Sequence, residues 1–567
     1  MNHSTRYARC CLLGLLFLSA CSRTSAEPRR TESASKSPKT LAKTARDRDP
    51  SQAKRRTGRS PVGTNLDALV DYSQDWISVD AFKRSRDWIS STEDKFDDGR
   101  KVALDERGWV KALLPGQIAT TLMFWDGVKY PSGDYVVLYE GKGAVDYWPQ
   151  DKVISSGPGR DVLRVDSSQV GIGVRIKKTD PGDPIRNIRV LMPGGVCESD
   201  PRRYCDKKLP CESAGRCVPF EENYATQIFH PRFLERTSHY ATLRFMDWMQ
   251  TNGSTMQRWD TRPRPDDARW NKGAPVEIMV ELANRQDQDP WFTLPHGADD
   301  EYVTKFAEYV RDHLSASHRV YVEHSNEVWN GMFAQAEYAM KRGQEAGLGP
   351  SPFEAQLLYH ARRTAQIAKI WERVYGDKRH KVVRVLGAQA ANAWGSEIML
   401  AFEDVKAHVD ALAIAPYFGG YLGSPENLQR VQSMNLDEFF VELKEKALPE
   451  ARDWIRDQAK VAKQNNLHLV AYEGGQHLTA GGPGLDSKAL NDLFDRANRD
   501  PRIGQLYFDY LVSWRKLGGK MFVHFTDCTG MSKWGRWGAL EWLEQPRAQA
   551  PKYDAIARFA EQNTRWW

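Results

Sequence analysis

Two glutamates carry the chemistry for which this sequence is equipped. Glu327 lies in Tyr321–Asn330, YVEHSNEVWN, and Glu473 in Leu467–Leu478, LHLVAYEGGQHL. Each follows a short run of β-formers and precedes polar or small residues that lead on toward a helix-like segment. A carboxylate where a strand hands over to a helix sits at the mouth of an α/β sheet or barrel, where such folds keep their chemistry. Two such carboxylates are the minimum equipment for cleaving a glycosidic bond. A strand-end Glu can also do no more than cap the next helix. A pair at regular spacing weighs against that.

The elements that must position the pair alternate between strands and helices, the pattern of a parallel β/α fold. The strands are read as Gly63–Leu66, Ala241–Met246, Val276–Leu282, Val320–Val322, Lys381–Leu386, Val409–Ala415, Leu467–Tyr472 and Lys520–Phe525. Helix-like runs cover about 79–90, 233–240, 301–315, a long stretch up to Tyr375, 436–465 and 500–517. Glu327 then ends the fourth strand and Glu473 the seventh, 146 residues later. Three βα units of about 45 residues fill that gap in an enlarged (β/α)8 TIM barrel. The count depends on Gly63–Leu66 being the first strand.

The rest of the chain divides by texture. Residues 1–21 form a signal peptide: Arg6 and Arg9 precede the apolar run CCLLGLLFLSA, too short to span a bilayer. Leu18-Ser19-Ala20-Cys21 resembles a bacterial lipobox, which makes Cys21 the expected lipidation site and Ser22 a pointer to the outer membrane. Residues 22–61 form a polar, disordered tether with 12 Lys and Arg against 4 Asp and Glu. The remaining residues hold 66 basic against 70 acidic side chains. The overall charge of +6 therefore belongs to the tether and signals an anionic surface, not a nucleic-acid site. Residues 62–98 hold the first barrel strand and a helix. Residues 99–195 carry short alternating segments between turns, a β-sandwich-like module in which Ile188–Pro193 either closes the module or opens the barrel. Residues 196–220 form a loop with Cys197, Cys205, Cys211 and Cys217 spaced C-x7-C-x5-C-x5-C. In an exported chain this predicts two disulfides, with three pairings open. Zinc would want paired C-x2–4-C spacing. Residues 221–567 complete the barrel.

Hydrophobic content of 41% and aromatic content of 11% exclude general disorder, and 19 Trp is high for this length. Trp248, Trp259, Trp270, Trp291, Trp394, Trp534 and Trp537 stand in loop-like contexts, where their faces suit sugar stacking. His296, His324 and His477 lie near the pair without the spacing of a metal motif, so no metal or cofactor is expected.

Asn326-Glu327 at the end of strand four, with Glu473 at the end of strand seven, resembles the clan A glycoside hydrolases, retaining enzymes on (β/α)8 barrels. SNEVWNG, YEGGQ and GTNL look more narrowly like large bacterial exported proteins of cellulose-binding or cellulase-like type. The resemblance implies Glu327 as acid/base, Glu473 as nucleophile and Asn326 as a partner of the sugar 2-hydroxyl. It also implies that Arg244 holds Glu473 ionised, that Tyr417 orients it, and that Trp534 or Trp537 forms the stacking floor. Trp329 and Val328 are expected to supply an apolar wall that raises the pKa of Glu327. Pro416 departs from the usual His-x-Tyr pattern of strand six. The expected protein is a monomeric, lipid-anchored hydrolase of a glucan, xylan or mannan. The rivals are a carbohydrate-binding lipoprotein without activity and an esterase, against which the chain lacks G-x-S-x-G.

Overall fold

The structure, a computed structural model, describes residues 59–125, 127–148, 152–168 and 171–567. The signal peptide, Cys21 and nearly all of the tether lie outside the described residues.

Eight parallel strands close into a barrel: β1 (Val62–Asn65), β2 (Thr242–Arg244), β3 (Asp289–Leu294), β4 (Val320–His324), β5 (Val382–Gly387), β6 (Ala411–Ile414), β7 (His468–Ala471) and β8 (Phe522–His524). Closure rests on β1, which pairs with β2 at Thr64–Leu243 and with β8 at Val62–Phe522. Alternation along each strand separates two cores. Trp291, Tyr321, Val385, Ala413, Val470 and Val523 fill the barrel interior. Phe292, Val322, Leu386 and Leu412 face the surrounding helices. Those helices start where the sequence caps them. Asp299 accepts from the Tyr302 amide, and Ser351 accepts from the Glu354 amide ahead of Pro352.

Two expected elements are corrected. Val276–Leu282 is not the third strand; it belongs to the helix Val276–Gln286, with Glu277 in its first turn and Asp287 left-handed at its end. The third strand is Asp289–Leu294, directly after it. A short apolar run reads equally as strand or buried helix, and here Val276, Met279, Val280 and Ala283 follow helical spacing. Nor is 79–90 a helix. Asp80 caps a single 3-10 turn, Ala81–Arg84, and Ile89–Ser91 is a strand paired with Ile118–Met123.

Between β1 and β2 the chain builds two four-stranded antiparallel sheets. One orders Ile89–Ser91, Ile118–Met123, Ile172–Thr179 and Gly143–Trp148, and the other Arg186–Leu191, Gly133–Glu140, Arg160–Val165 and Lys152–Gly157. Arg186–Leu191 thus closes this module rather than opening the barrel. The cysteine loop folds as a three-stranded sheet with disulfides Cys197–Cys211 and Cys205–Cys217. Cys528 is a buried thiol. Among the described residues no helix is long and apolar enough to cross a membrane.

Candidate active site

Side chains from the C-terminal ends of β1, β4 and β7 converge on one cation at the end of β2. Arg244, the last residue of β2, is fully buried. Its Nη1 donates to Glu473 Oε1 at 2.9 Å and to Asn65 Oδ1 at 3.0 Å. Its Nη2 donates to Asn326 Oδ1 at 2.8 Å, and Nε and Nη2 fork onto Glu323 at 3.0 and 3.2 Å. A planar guanidinium with five fixed donors serves four side chains at once, which an ammonium cannot do.

Glu327 comes out of a distorted strand end. Ser325 and Glu327 are both left-handed, at φ 60° and 43°, on either side of Asn326. This conformation is costly for non-glycine residues and clusters at functional sites. Glu327 Oε1 accepts from the Tyr472 hydroxyl at 3.1 Å and Oε2 from Asn330 Nδ2 at 2.9 Å. Trp329 donates Nε1 to the same Tyr472 oxygen at 3.3 Å. Glu473 Oε2 accepts from the Tyr417 hydroxyl at 3.0 Å. The two glycines after Glu473 are required by close approach: a Cβ on Gly474 would meet the Phe522 ring at 2.6 Å, and one on Gly475, at φ +138°, the Tyr507 hydroxyl at 2.7 Å.

The two carboxylates differ in their surroundings. Burial pushes Glu327 up to about 7, helped by the negative charge of Glu473, while its own hydrogen-bond donors are neutral. Burial raises Glu473 too, but the Arg244 cation and the Tyr417 hydroxyl pull it back. Of two neighbouring carboxyls, the one without a cation keeps the proton. Asp247, three residues after Arg244, is pushed up to about 8 by burial, then by Asp67 and Glu473.

The residues singled out from sequence are only partly gathered here. Glu327, Glu473, Asn326, Arg244, Tyr417 and Trp329 share one network, and Pro416 does not keep Tyr417 from Glu473. Trp537 meets Tyr417 edge-on at 5.8 Å and His477 at 5.0 Å. Trp534 lies exposed, with the Lys533 ammonium 5.1 Å above its ring. Trp248, Trp270 and Trp291 are not loop platforms but buried packing residues. Trp291 lies inside the barrel, stacked on Tyr321 at 5.0 Å, and its Nε1 donates to Glu323 at 2.8 Å. His324 turns outward, its Nδ1 2.9 Å from that of His360.

Sequence reading missed Glu323, Asn65 and Tyr472. Glu323 has the same strand parity as the inward Tyr321, which was a usable signal once β4 was set. Asn65 donates to the Tyr472 and His524 carbonyls at 3.0 and 3.3 Å, tying β1 to the ends of β7 and β8. Nothing in the local sequence announces that role.

No protein-family model matches the chain, and no curated protein resembles it in sequence. Solved structures do match in part. One is a 4-O-α-L-rhamnosyl-β-D-glucuronidase from Fusarium oxysporum, at 12% identity and a TM-score of 0.34, covering 56% of this chain and 60% of that one. Another is a modular endo-β-1,4-mannanase from Cellulomonas fimi, at 11% and 0.29, covering 57% and 63%. A third is a broad-specificity endoglucanase from Ruminococcus flavefaciens, at 9% and 0.35, covering 65% and 95%. The chain thus spans less than two thirds of the first two. Likeness this distant carries no argument about the reaction. The solved structures that match include glycoside hydrolases of families 5 and 26, and the fold of the present chain is the closed parallel barrel described above.

Proposed function

We propose that the chain is a retaining glycoside hydrolase acting on a β-linked polysaccharide of glucan, xylan or mannan type. The observation that carries this reading is the contrast within the pair: Glu327 is raised to about 7 among neutral donors, and Glu473 is held by Arg244 and Tyr417. In the first step Glu327 gives its proton to the leaving glycosidic oxygen as Glu473 attacks C1, forming a glycosyl ester. In the second, Glu327 takes a proton from water, whose oxygen displaces Glu473. Asn326 Nδ2 uses one hydrogen on Asn252, 3.0 Å away, and offers the other to the sugar 2-hydroxyl. Trp537 forms the floor beside Tyr417.

Hydrolysis of a panel of β-glucans, xylans, mannans and galactans by wild type, Glu327→Gln and Glu473→Gln tests the reading. Each variant is expected to lose roughly 10²–10⁴-fold or more in kcat, and product NMR to show retained anomeric configuration. Activity that survives Glu473→Gln sinks double displacement. Binding without hydrolysis by the wild type would return the rival, a carbohydrate-binding protein. The lipobox supports a further proposal, that Cys21 anchors the monomer to the bacterial outer membrane. Labelled palmitate should enter the wild type and not Cys21→Ala.

A further inference from the structure

The loop between β2 and the helix Val276–Gln286, with that helix and the helix Asp300–His313, lines an open pocket of about 250 Å3. Its floor is apolar and buried, with Val276, Met279 and Phe306. Its rim is polar and open, with Gln250, Asn252 and Thr255. The two cations that line it are already paired. Arg262 holds Glu277 at 2.5 Å, and Lys272 holds Asp87 at 2.9 Å. The pocket therefore presents no uncompensated charge and suits a neutral ligand.

The rim is also part of the wall of the candidate active site. Asn252 Oδ1 accepts from Asn326 Nδ2 at 3.0 Å and from Gln335 Nε2 at 2.7 Å, and the Gly253 amide donates to Gln335 Oε1 at 2.9 Å. Gln335 in turn donates to the Asn326 carbonyl at 2.8 Å. One side chain, Asn252, thus stands between the pocket and the residue that receives Arg244. An apolar floor under a rim of amides and a hydroxyl matches a pyranose, whose C–H face is apolar and whose edge is ringed by hydroxyls. A floor of buried side chains, Val276, Met279 and Phe306, admits a terminal unit and leaves a continuing chain no exit on that side.

Building on the glycosidase reading, we infer that this pocket is a subsite for one neutral terminal pyranose of the substrate, either the chain end or a single-sugar branch. Thr255→Trp places an indole at the open rim, and Ser254→Trp does so one residue away; neither residue belongs to the catalytic network. Both are compared with wild type on linear oligosaccharides of increasing length and on their singly branched counterparts. The expected result is a rise in KM of tenfold or more for the ligands that fill the pocket, with kcat kept on the shortest substrate cleaved. If the occupant is a branch, only branched substrates lose. If it is a chain end, linear ones lose and their cleavage pattern shifts. Wild-type KM and cleavage pattern in both variants, on both substrate sets, overturn the subsite and leave the glycosidase reading standing. A wild type that cleaves no β-glycan overturns both.

Discussion

Arg244 is a single cation facing two buried glutamates, and its surroundings explain why each behaves differently from Glu327. Glu323 takes the guanidinium fork and the Trp291 N–H, and Glu473 takes the remaining charged edge. Removing the cation leaves both carboxylates buried and unpaired, so Arg244→Ala should cost about 3–5 kcal/mol in urea denaturation. A loss under about 1 kcal/mol would mean that neither carboxylate depends on it. The pH dependence of kcat follows from Glu327. In the acid role proposed for it Glu327 needs the proton, so the rate should fall as pH rises through about 7. The adjacent Glu473 charge is one cause of that elevation. In Glu473→Gln the like charge is gone, and the Glu327 carboxyl should titrate lower, as read by carbon NMR on labelled glutamate.

At the scale of elements, the insertion between β1 and β2 ends in the disulfide-held loop. That loop is stapled twice, over sequence separations of 14 and 12 residues. It packs on the helix Pro231–Thr237, where Arg232 lies 4.9 Å over the Tyr204 ring. Crosslinks closing loops of this length stabilise by roughly 3 kcal/mol in the chain-entropy account. Cys205→Ser with Cys217→Ser should speed amide exchange across 195–219. Exchange in β4 and β7 should be unchanged, because the barrel strands pair only with one another. Faster exchange in the barrel as well would show that the loop supports the whole fold.

For the whole molecule, the costly feature is a buried acidic cluster, Asp67, Asp75 and Asp527, with one buried cation, Arg84, in electrostatic reach. Asp75 is buried with no Arg or Lys hydrogen-bonded to its carboxylate, and the Asp527 carboxyl lies against it, with Asp67 nearby. Arg84 directs its N–H groups to the Val70, Ser73 and Asp75 carbonyls. Burial, then Asp527 and Asp67, push Asp75 well above the usual range, and Asp527 itself is pushed up to about 7. The folded pKa of Asp75 thus exceeds its unfolded value. Its contribution to stability is full below about 3.8 and is lost as pH rises through the folded pKa. Asn does not titrate. The stability of Asp75→Asn relative to wild type should therefore rise with pH, by up to about 1.4 kcal/mol per pH unit between the unfolded and folded pKa of Asp75. Parallel urea midpoints from pH 5 to 9 would overturn this.

The barrel's period and the strand-end positions of Glu327 and Glu473 are legible in the sequence. Glu327 and Glu473 stand at the ends of β4 and β7 because strand and helix patterns are local, written in alternation, caps and turn residues. The count of eight survived the misplacement of β3 because the true strand, Asp289–Leu294, lies directly beyond the misread run. It could not tell Val276–Leu282 from a strand, since a short apolar run satisfies both periods until its packing partners are known. Which Trp residues pack and which meet the mouth, which Cys residues pair, and that Glu323 and Asn65 share Arg244 came from the folded arrangement alone. Those outcomes depend on contacts between residues as far apart as Asn65 and Arg244, or Arg244 and Glu473. Ring closure, not any stretch of sequence, brings such residues within hydrogen-bond reach.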